Sequence, residues 1–320
     1  MSQAFHIVVT CTDRKKVAVP DGLRLRRCRK GTVEKRADAW IQRIRSARAE
    51  PVAGTELYSG DHWTVARELP DLARKAGFRP RLWVCSAGYG LVPAETPLKP
   101  YAATFAPGQG DSIYRGARDG SPAEAARRWW KQVAKWEGPE RGAARQIHSL
   151  VKRDSSAHVV VVASATYLAA IAEDIRSANP DPERFLLISA GSAAQNGLSR
   201  LLLPADARFQ GSLGGSRQAL NARIARDALK RFARRPDGFG WLRRSSTQRL
   251  AQEVDLITYN RKPLSDEEVK RFIRERLRTD PGARHTRLLR ALRESGRACE
   301  QKRFRNLFVE VQEEIRAQTT

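Results

Sequence analysis

Long apolar runs are absent from this sequence, and that absence bears on where the protein works. No apolar stretch reaches the roughly 18 residues that a membrane-spanning helix needs, so we expect no membrane partner. Residues 1–5 carry no basic segment ahead of an apolar core, so we expect no signal peptide. Together these features predict a cytoplasmic location.

Cysteine is scarce, and the few cysteines are poorly spaced for a metal site or for disulfides. No two of them form a C-x-x-C pair, which zinc sites and redox motifs commonly use. Reduced thiols are the ordinary state of cysteine in the cytosol. The sequence therefore offers no clean metal-ligand cluster, and we assign no metal ligands and no cofactor from it. The four cysteines are Cys11, Cys28, Cys85 and Cys299.

Acidic residues are too few to balance the basic ones. The chain has 59 Lys and Arg against 35 Asp and Glu, which gives a net charge of +24 and a pI near 10.8. A protein tolerates such self-repulsion most readily when its partner is a polyanion. A generic solubility surface from an arginine-rich proteome is the alternative interpretation. The charge therefore predicts DNA as the partner.

Short apolar strands alternate with helical patterns through residues 1–235. This alternation predicts an α/β domain with a mostly parallel sheet flanked by helices. A glycine- and proline-rich loop is expected at 87–111. The strands are predicted at 4–10, 81–86, 158–163 and 184–189, and the helices at about 35–48, 61–76, 121–153 with an interruption near Gly138-Pro139, 164–177 and 217–232.

Strand signals stop after a linker predicted at 234–240, and residues 245–320 are predicted to form a separate helical domain. A helix that ends at Ser295-Gly296 is followed by a basic helix, an order typical of the helix-turn-helix. A plain three-helix bundle with solvated charges is the alternative. The residues predicted to bind DNA are Arg297, Lys302, Arg303 and Arg305.

Small polar residues or cysteine follow each predicted strand. The carboxyl ends of parallel strands meet at one edge of a sheet, where open α/β folds bind their ligands. We therefore expect a crevice whose hydroxyls and backbone N–H groups hold a nucleobase or a phosphate. The four ends are Cys11-Thr12-Asp13, Cys85-Ser86, Ser164 and Ser189-Ala190-Gly191-Ser192.

Cys11 is the stronger candidate nucleophile of the two strand-end cysteines. It lies just past its strand beside Arg14, Lys15 and Lys16, whose positive charge favours a thiolate. Cys85 lies inside its strand, where burial in the core is the more ordinary outcome. Asp13 can act as a general base, as a turn cap, or as both.

Three motifs resemble the YaaA-type family, which includes peroxide-stress proteins and domains of archaeosine-synthase-like enzymes. Residues 86–93 read Ser-Ala-Gly-Tyr-Gly-Leu-Val-Pro and are followed by Pro-Tyr at 100–101. Residues 163–167 read Ala-Ser-Ala-Thr-Tyr, and residues 10–15 read Thr-Cys-Thr-Asp-Arg-Lys. The resemblance covers about residues 4–235 and implies a nucleic-acid-associated α/β domain.

Within that family the chain looks like the member found in bacterial 7-deazaguanine DNA-modification clusters. This resemblance implies conversion of the nitrile base preQ0, already inserted in DNA, into its amide, with other proteins of the cluster as possible partners. The chain departs from the peroxide-stress members in its cysteines at the first two strand ends and in its helical tail. These departures favour DNA modification over a role in oxidative stress.

Hydration of a nitrile needs a nucleophile and a proton donor for the nitrogen. Cys11 can form a thioimidate that water resolves, or Asp13 can activate water directly. A non-catalytic DNA-binding or damage-protection protein and a base-excising glycosylase-like enzyme are the alternatives. The predicted donors are Lys15, Ser86 and Ser164, and the predicted base-binding residues are Tyr89, Tyr101 and Tyr167, with Trp83 either stacking on the base or lying in the core.

Overall fold

The structure is a computed structural model, and it describes residues 2–117, 120–190, 197–254 and 260–319. The chain divides into two compact units, Met1–Val254 and Asp255–Thr320, which are described separately below. In the described part of the chain, no helix has the length and apolar character needed to span a membrane.

The first unit is built on a sheet with the strand order β4-β3-β1-β6-β7-β8. All neighbours pair in parallel except β4, which runs antiparallel to β3. This arrangement confirms the predicted mostly parallel sheet flanked by helices. The strands of the unit are β1 Ala4–Thr10, β2 Val52–Ala53, β3 Arg79–Ser86, β4 Gly90–Pro93, β5 Pro97–Leu98, β6 His158–Val162, β7 Phe185–Ser189 and β8 Leu202–Pro204.

The centre of the sheet is buried on both faces, as its valine- and isoleucine-rich strands require. Val8 of β1 lies opposite Trp83 of β3 on one side and opposite Val161 of β6 on the other. Helices cover the sheet and supply the rest of the core. They are α1 Val33–Ser46, α2 Gly54–Leu57, α3 Asp61–Ala66, α4 Leu69–Lys75, α5 Pro122–Lys135, α6 Ile147–Arg153, α7 Ala165–Ala178, α8 Phe209–Leu213, α9 Leu220–Phe232 and α10 Gly240–Gln252.

Several boundaries differ from the predicted ones, and each difference has a local cause. The helix predicted at 61–76 is two helices, because Pro70 lies in the first turn of a new helix, where proline is tolerated. The loop predicted at 87–111 contains β4 and β5. Strand β4 is a short antiparallel return against β3, and the glycine and proline at its two ends hide the strand signal of the Leu91-Val92 pair.

Two tryptophan side chains hold the turn between β3 and β4. The indole of Trp40 on α1 donates to the Gly88 carbonyl at 2.9 Å, and that of Trp129 on α5 donates to the Ala87 carbonyl at 2.7 Å. A side chain at Gly88 would lie 2.4 Å from the Tyr101 ring, so the close approach of the turn requires glycine. The turn is therefore fixed from two flanking helices.

The second unit packs three helices around an apolar core, which confirms the predicted C-terminal helical segment. The helices are α11 Asp266–Thr279, α12 His285–Glu294 and α13 Gln301–Thr319. Ser265 and Glu268 form the capping box that their spacing predicts. A two-residue parallel ladder, β9 Lys262–Pro263 with β10 Arg297–Ala298, was not predicted. The core side chains are Val269, Phe272, Ile273, Leu277, Ala283, Leu288, Leu289, Leu292, Cys299, Phe304, Leu307, Phe308 and Val311.

The boundary between the units falls later than the predicted linker at 234–240. Helix α10 begins within that linker and belongs to the first unit. Its Leu242 and the preceding Phe239 are fully buried in the first unit's core. The Phe239 ring lies 4.8 Å from that of Phe232, measured between centroids. Glycine and proline near 236–240 therefore mark a turn inside this unit.

We predict that a chain ending at residue 254 keeps the first unit folded, whereas one ending at 235 does not. The shorter chain loses Phe239 and Leu242, and removal of each fully buried side chain costs about 3 kcal/mol. Urea denaturation followed by circular dichroism measures both. Equal stability of the two truncated chains would show that α10 adds nothing to the core.

His158 occupies a cage of four phenylalanine rings at the start of β6. The centroid distances from its ring run from 5.0 to 5.7 Å. Burial lowers the pKa of His158 to about 4, because an imidazolium is disfavoured among apolar rings. The imidazole is therefore neutral in the folded protein. The four rings are Phe5, Phe78, Phe232 and Phe239.

We predict that the first unit loses stability as the pH falls from 6.5 towards 4. In that window the unfolded chain binds a proton at His158, whereas the folded chain does not. The loss is at most about 3 kcal/mol, and less where water reaches the ring. Urea unfolding at pH 7.5 and 5.0 should show a smaller drop for His158→Phe than for the unchanged protein. Equal drops would contradict this assignment.

Candidate functional site

The carboxyl ends of β1 and β6 border a cavity of about 580 Å³, which we call the strand-end cavity. It brings together four of the predicted site residues: Cys11, Asp13, Ser164 and Tyr167. Its volume lies in the range of small-molecule sites. The other residues that line it are Thr10, Thr12, Arg14, Ser59, Gly60, Asp61, His62, Thr104, Ala106, Gln109, Ser216 and Gln218.

Cys11 is anchored by the sheet and reaches the cavity through its side chain. Its backbone N–H donates to the Cys85 carbonyl at 3.0 Å and so continues the parallel ladder by one residue. Its sulfur lies 3.0 Å from the Tyr167 hydroxyl, and only 7% of the residue is exposed. The nucleophile predicted from the sequence is therefore at the cavity, with a hydroxyl in contact.

Tyr167 comes from the first turn of α7, which Ser164 caps by accepting from the Tyr167 N–H at 3.4 Å. Burial, and then the neighbouring Cys11, raise the pKa of the Tyr167 hydroxyl well above its usual value. The phenol therefore keeps its proton, and either the hydroxyl or the thiol can be the donor in their contact. Ser164 itself is exposed at the cavity.

Lys15 is half-buried beside the cavity, and its ammonium group lies over aromatic rings. Nζ is 4.7 Å from the ring centroid of Tyr101 and 5.4 Å from that of Tyr58, and it donates to the Thr12 carbonyl at 2.5 Å. Burial lowers the pKa of Lys15, against the opposing charges of Cys11 and nearby carboxylates. The lysine thus supplies a partly desolvated positive charge near the thiol.

Ser86, Tyr89 and Tyr101 are in the core rather than on the cavity wall. Ser86 Oγ accepts from the N–H groups of Gly88 and Tyr89 at 3.1 and 3.0 Å, and it lies 2.5 Å from the Tyr101 hydroxyl. Tyr101 Oη also lies 2.9 Å from Tyr58 Oη, and Tyr89 Oη donates to a backbone carbonyl. With these groups engaged, the geometry favours a role in holding the turn over direct base contact.

The other predicted positions around this edge fall into three groups. Asp13 is exposed at the cavity, and no described residue forms an ion pair with it. Trp83 is buried, and its indole donates to His6 Nδ1 at 3.1 Å, so it is a core residue. The strand end at Gly191-Ser192 lies outside the described residues.

His62 was not predicted, yet it lines the strand-end cavity. Its Nε2 is buried and has no hydrogen-bond partner among the described residues. Burial lowers the pKa of His62 to about 4, against the opposing effects of the Thr10 carbonyl and the Asp61 carboxylate. A neutral imidazole at a cavity wall can exchange a proton or a hydrogen bond with a bound group. The only signal in the sequence was its position in the first turn of a helix.

The basic residues predicted to bind DNA lie in the second unit and differ in their surroundings. Lys302 and Arg305 are exposed on α13, and Arg297 is exposed on β10. Arg303 is half-buried and ion-paired with Asp266 at 2.5 Å, so part of its charge is already neutralised. The predicted cluster is therefore less uniform than its sequence suggests.

Neither a metal-binding cluster nor a match to another protein narrows the function of the site. Across the described ranges, no three His, Cys, Asp or Glu residues are grouped so as to hold a metal ion. No family model, curated protein or solved structure matches this chain. The chemistry proposed for the site therefore depends on the geometry of its own residues.

We predict that a small thiol reagent modifies Cys11 at least about 10-fold faster than Cys85 in the folded protein. Cys11 lines the cavity, whereas core burial raises the pKa of the Cys85 thiol well above its usual value and keeps it protonated. Iodoacetamide labelling with peptide mass spectrometry measures both rates. Labelling of Cys85 at the rate of Cys11 would contradict the assigned accessibility.

Proposed function

We propose that the protein is a DNA-modifying enzyme that hydrates the nitrile of a 7-deazaguanine base, with Cys11 as the nucleophile. The observation that carries this proposal is the contact between the Cys11 sulfur and the Tyr167 hydroxyl at the strand-end cavity. A thiol beside a proton donor is the pairing that addition to a nitrile needs. The choice of substrate comes from the resemblance to the YaaA-type family.

The first step forms a bond between the Cys11 sulfur and the nitrile carbon. The thiol proton is transferred to the nitrile nitrogen, and Tyr167 is placed to relay it because its hydroxyl touches the sulfur. The product of this step is a thioimidate. Lys15 supplies positive charge close to the sulfur, which can stabilise the negative charge that develops as the carbon–sulfur bond forms.

The second step adds one water to the thioimidate carbon. The carbon–sulfur bond then breaks, sulfur regains its proton, and the base leaves as its amide, so the net change is the gain of one water. Asp13 and His62 both line the cavity, and either group can accept the water's proton. Asp13 was predicted for this role from the sequence, and His62 is the candidate that the structure adds.

The charge of the first unit supports a nucleic-acid substrate. Residues 1–254 contain 43 basic and 24 acidic residues, a net charge of +19. Positive charge of this size favours the phosphate backbone. A base within a duplex is inaccessible to a cavity in a protein surface, so the proposal requires a flipped base or a single strand.

The proposal predicts that DNA containing preQ0 gains one water per modified base when incubated with the protein. Nucleoside mass spectrometry measures this conversion. Cys11→Ala should lower the rate by roughly 10³-fold or more, because the nucleophile is removed. Cys85→Ala is the matched control: it should keep the conversion and lose only stability, about 1 kcal/mol.

Other outcomes of the same experiment would overturn the proposal. Loss of the base from DNA would indicate a glycosylase-like enzyme, and no change with intact DNA binding would indicate a non-catalytic DNA-binding protein. Full conversion by Cys11→Ala together with an inactive Asp13→Asn would replace the covalent route with direct hydration.

A further inference from the structure

The second unit carries a groove of about 830 Å³ beside α12, which we call the α12 groove. None of the residues predicted to bind DNA lines it, although Gly296 and Gln301 of its wall are the chain neighbours of Arg297 and Lys302. All of its described walls belong to this unit. The residues that line it are Asn260, Arg261, Thr286, Leu289, Arg290, Arg293, Glu294, Gly296 and Gln301.

One face of α12 forms a wall of the groove. Thr286, Arg290 and Arg293 follow one another at spacings of four and three residues, which places them on the same side of a helix. Leu288 and Leu292 are turned into the core and hold the helix in place. The packing of these leucines therefore fixes the helix with its polar face towards the groove.

The arginines of this face keep their positive charge available. Arg290 is exposed and forms no ion pair within the described part of the chain. Arg293 donates to the Cys299 carbonyl at 3.2 Å, a bond that orients the guanidinium without neutralising it. Glu294 is the one carboxylate on the groove wall among the described residues, so the wall remains positive.

The start of α13, where DNA contacts were predicted, is more nearly neutral. The Glu300 carboxylate accepts from the backbone N–H groups of Lys302 and Arg303 at 2.9 and 2.7 Å. It therefore occupies the helix end that would otherwise attract a phosphate. Arg303 is paired with Asp266.

We propose that the α12 groove binds the phosphate backbone of DNA, with Arg290 and Arg293 as the main contacts. Guanidinium groups bind phosphate oxygens in a bidentate manner, and the hydroxyl and amide groups of Thr286 and Gln301 suit the same oxygens. This inference rests on the proposed function for its choice of DNA as the polyanion.

The experiment measures binding of the full chain to an unmodified 20-bp duplex by fluorescence anisotropy between 50 and 200 mM salt. Removing two phosphate contacts with Arg290→Ala and Arg293→Ala together should reduce affinity about 10-fold or more and lower the salt slope by about two. Arg271→Ala with Arg278→Ala on α11 removes the same charge outside the groove and should change the slope little. Arg290→Glu alone, on an exposed side chain, checks the result if the double variant is poorly folded.

A fall in affinity that is equal in the α11 control would overturn the inference, because total charge would then explain it. A larger loss for Lys302→Ala with Arg305→Ala would assign the contact to α13 instead. The duplex carries no nitrile, so this measurement is independent of base conversion. If the groove variants bind the duplex as tightly as the unchanged protein but preQ0 is still converted, the groove proposal is wrong and the proposed function stands. If the groove variants lose affinity but preQ0 is not converted by the unchanged protein, the proposed function is wrong and the groove proposal stands.

Discussion

Strand β1 lies between β3 and β6 and pairs with both in parallel. The rest of the first unit depends on this double pairing, because it turns the ends of all three strands towards the same edge of the sheet. Cys11 is the first residue after β1, and its N–H still donates to the Cys85 carbonyl of β3. The backbone of Cys11 is therefore fixed by the sheet. A nucleophile placed in this way needs little further ordering when a substrate binds.

Burial shapes the chemistry of that edge. Removing tyrosine, lysine and histidine side chains from water disfavours their charged forms, so Tyr167 stays a phenol, Lys15 holds its proton less firmly and His62 stays neutral. The Cys11 thiol contacts the Tyr167 hydroxyl and lies within the field of the Lys15 ammonium group. Under the proposed function, these two groups stabilise charge that develops when the thiol adds to the nitrile.

The strand ends were predictable because apolar runs and the polar residues after them are local signals. Cys11 and Ser164 were found in this way. Tyr89 and Tyr101, which were predicted to bind the base, are buried, and both contact Ser86 Oγ, Tyr101 through its hydroxyl and Tyr89 through its N–H. A sequence motif does not reveal such burial. His62 was missed because its buried nitrogen depends on long-range packing. The glycine and proline at 234–240 were interpreted as a linker between domains. They instead form a turn of the first unit, whose core buries Phe239 and Leu242.

The central claim is that the Cys11 sulfur becomes bonded to the base carbon. Acid quench of the protein with preQ0-containing DNA, followed by nuclease digestion and peptide mapping, tests this claim most directly. The account predicts that the mass of the nucleoside appears on the peptide that contains Cys11 and on no peptide that contains Cys28, Cys85 or Cys299. It also predicts that Asp13→Asn or His62→Gln, by slowing release, increases the amount of this adduct. Conversion to the amide without any adduct on Cys11, at any time in the reaction, would contradict the account.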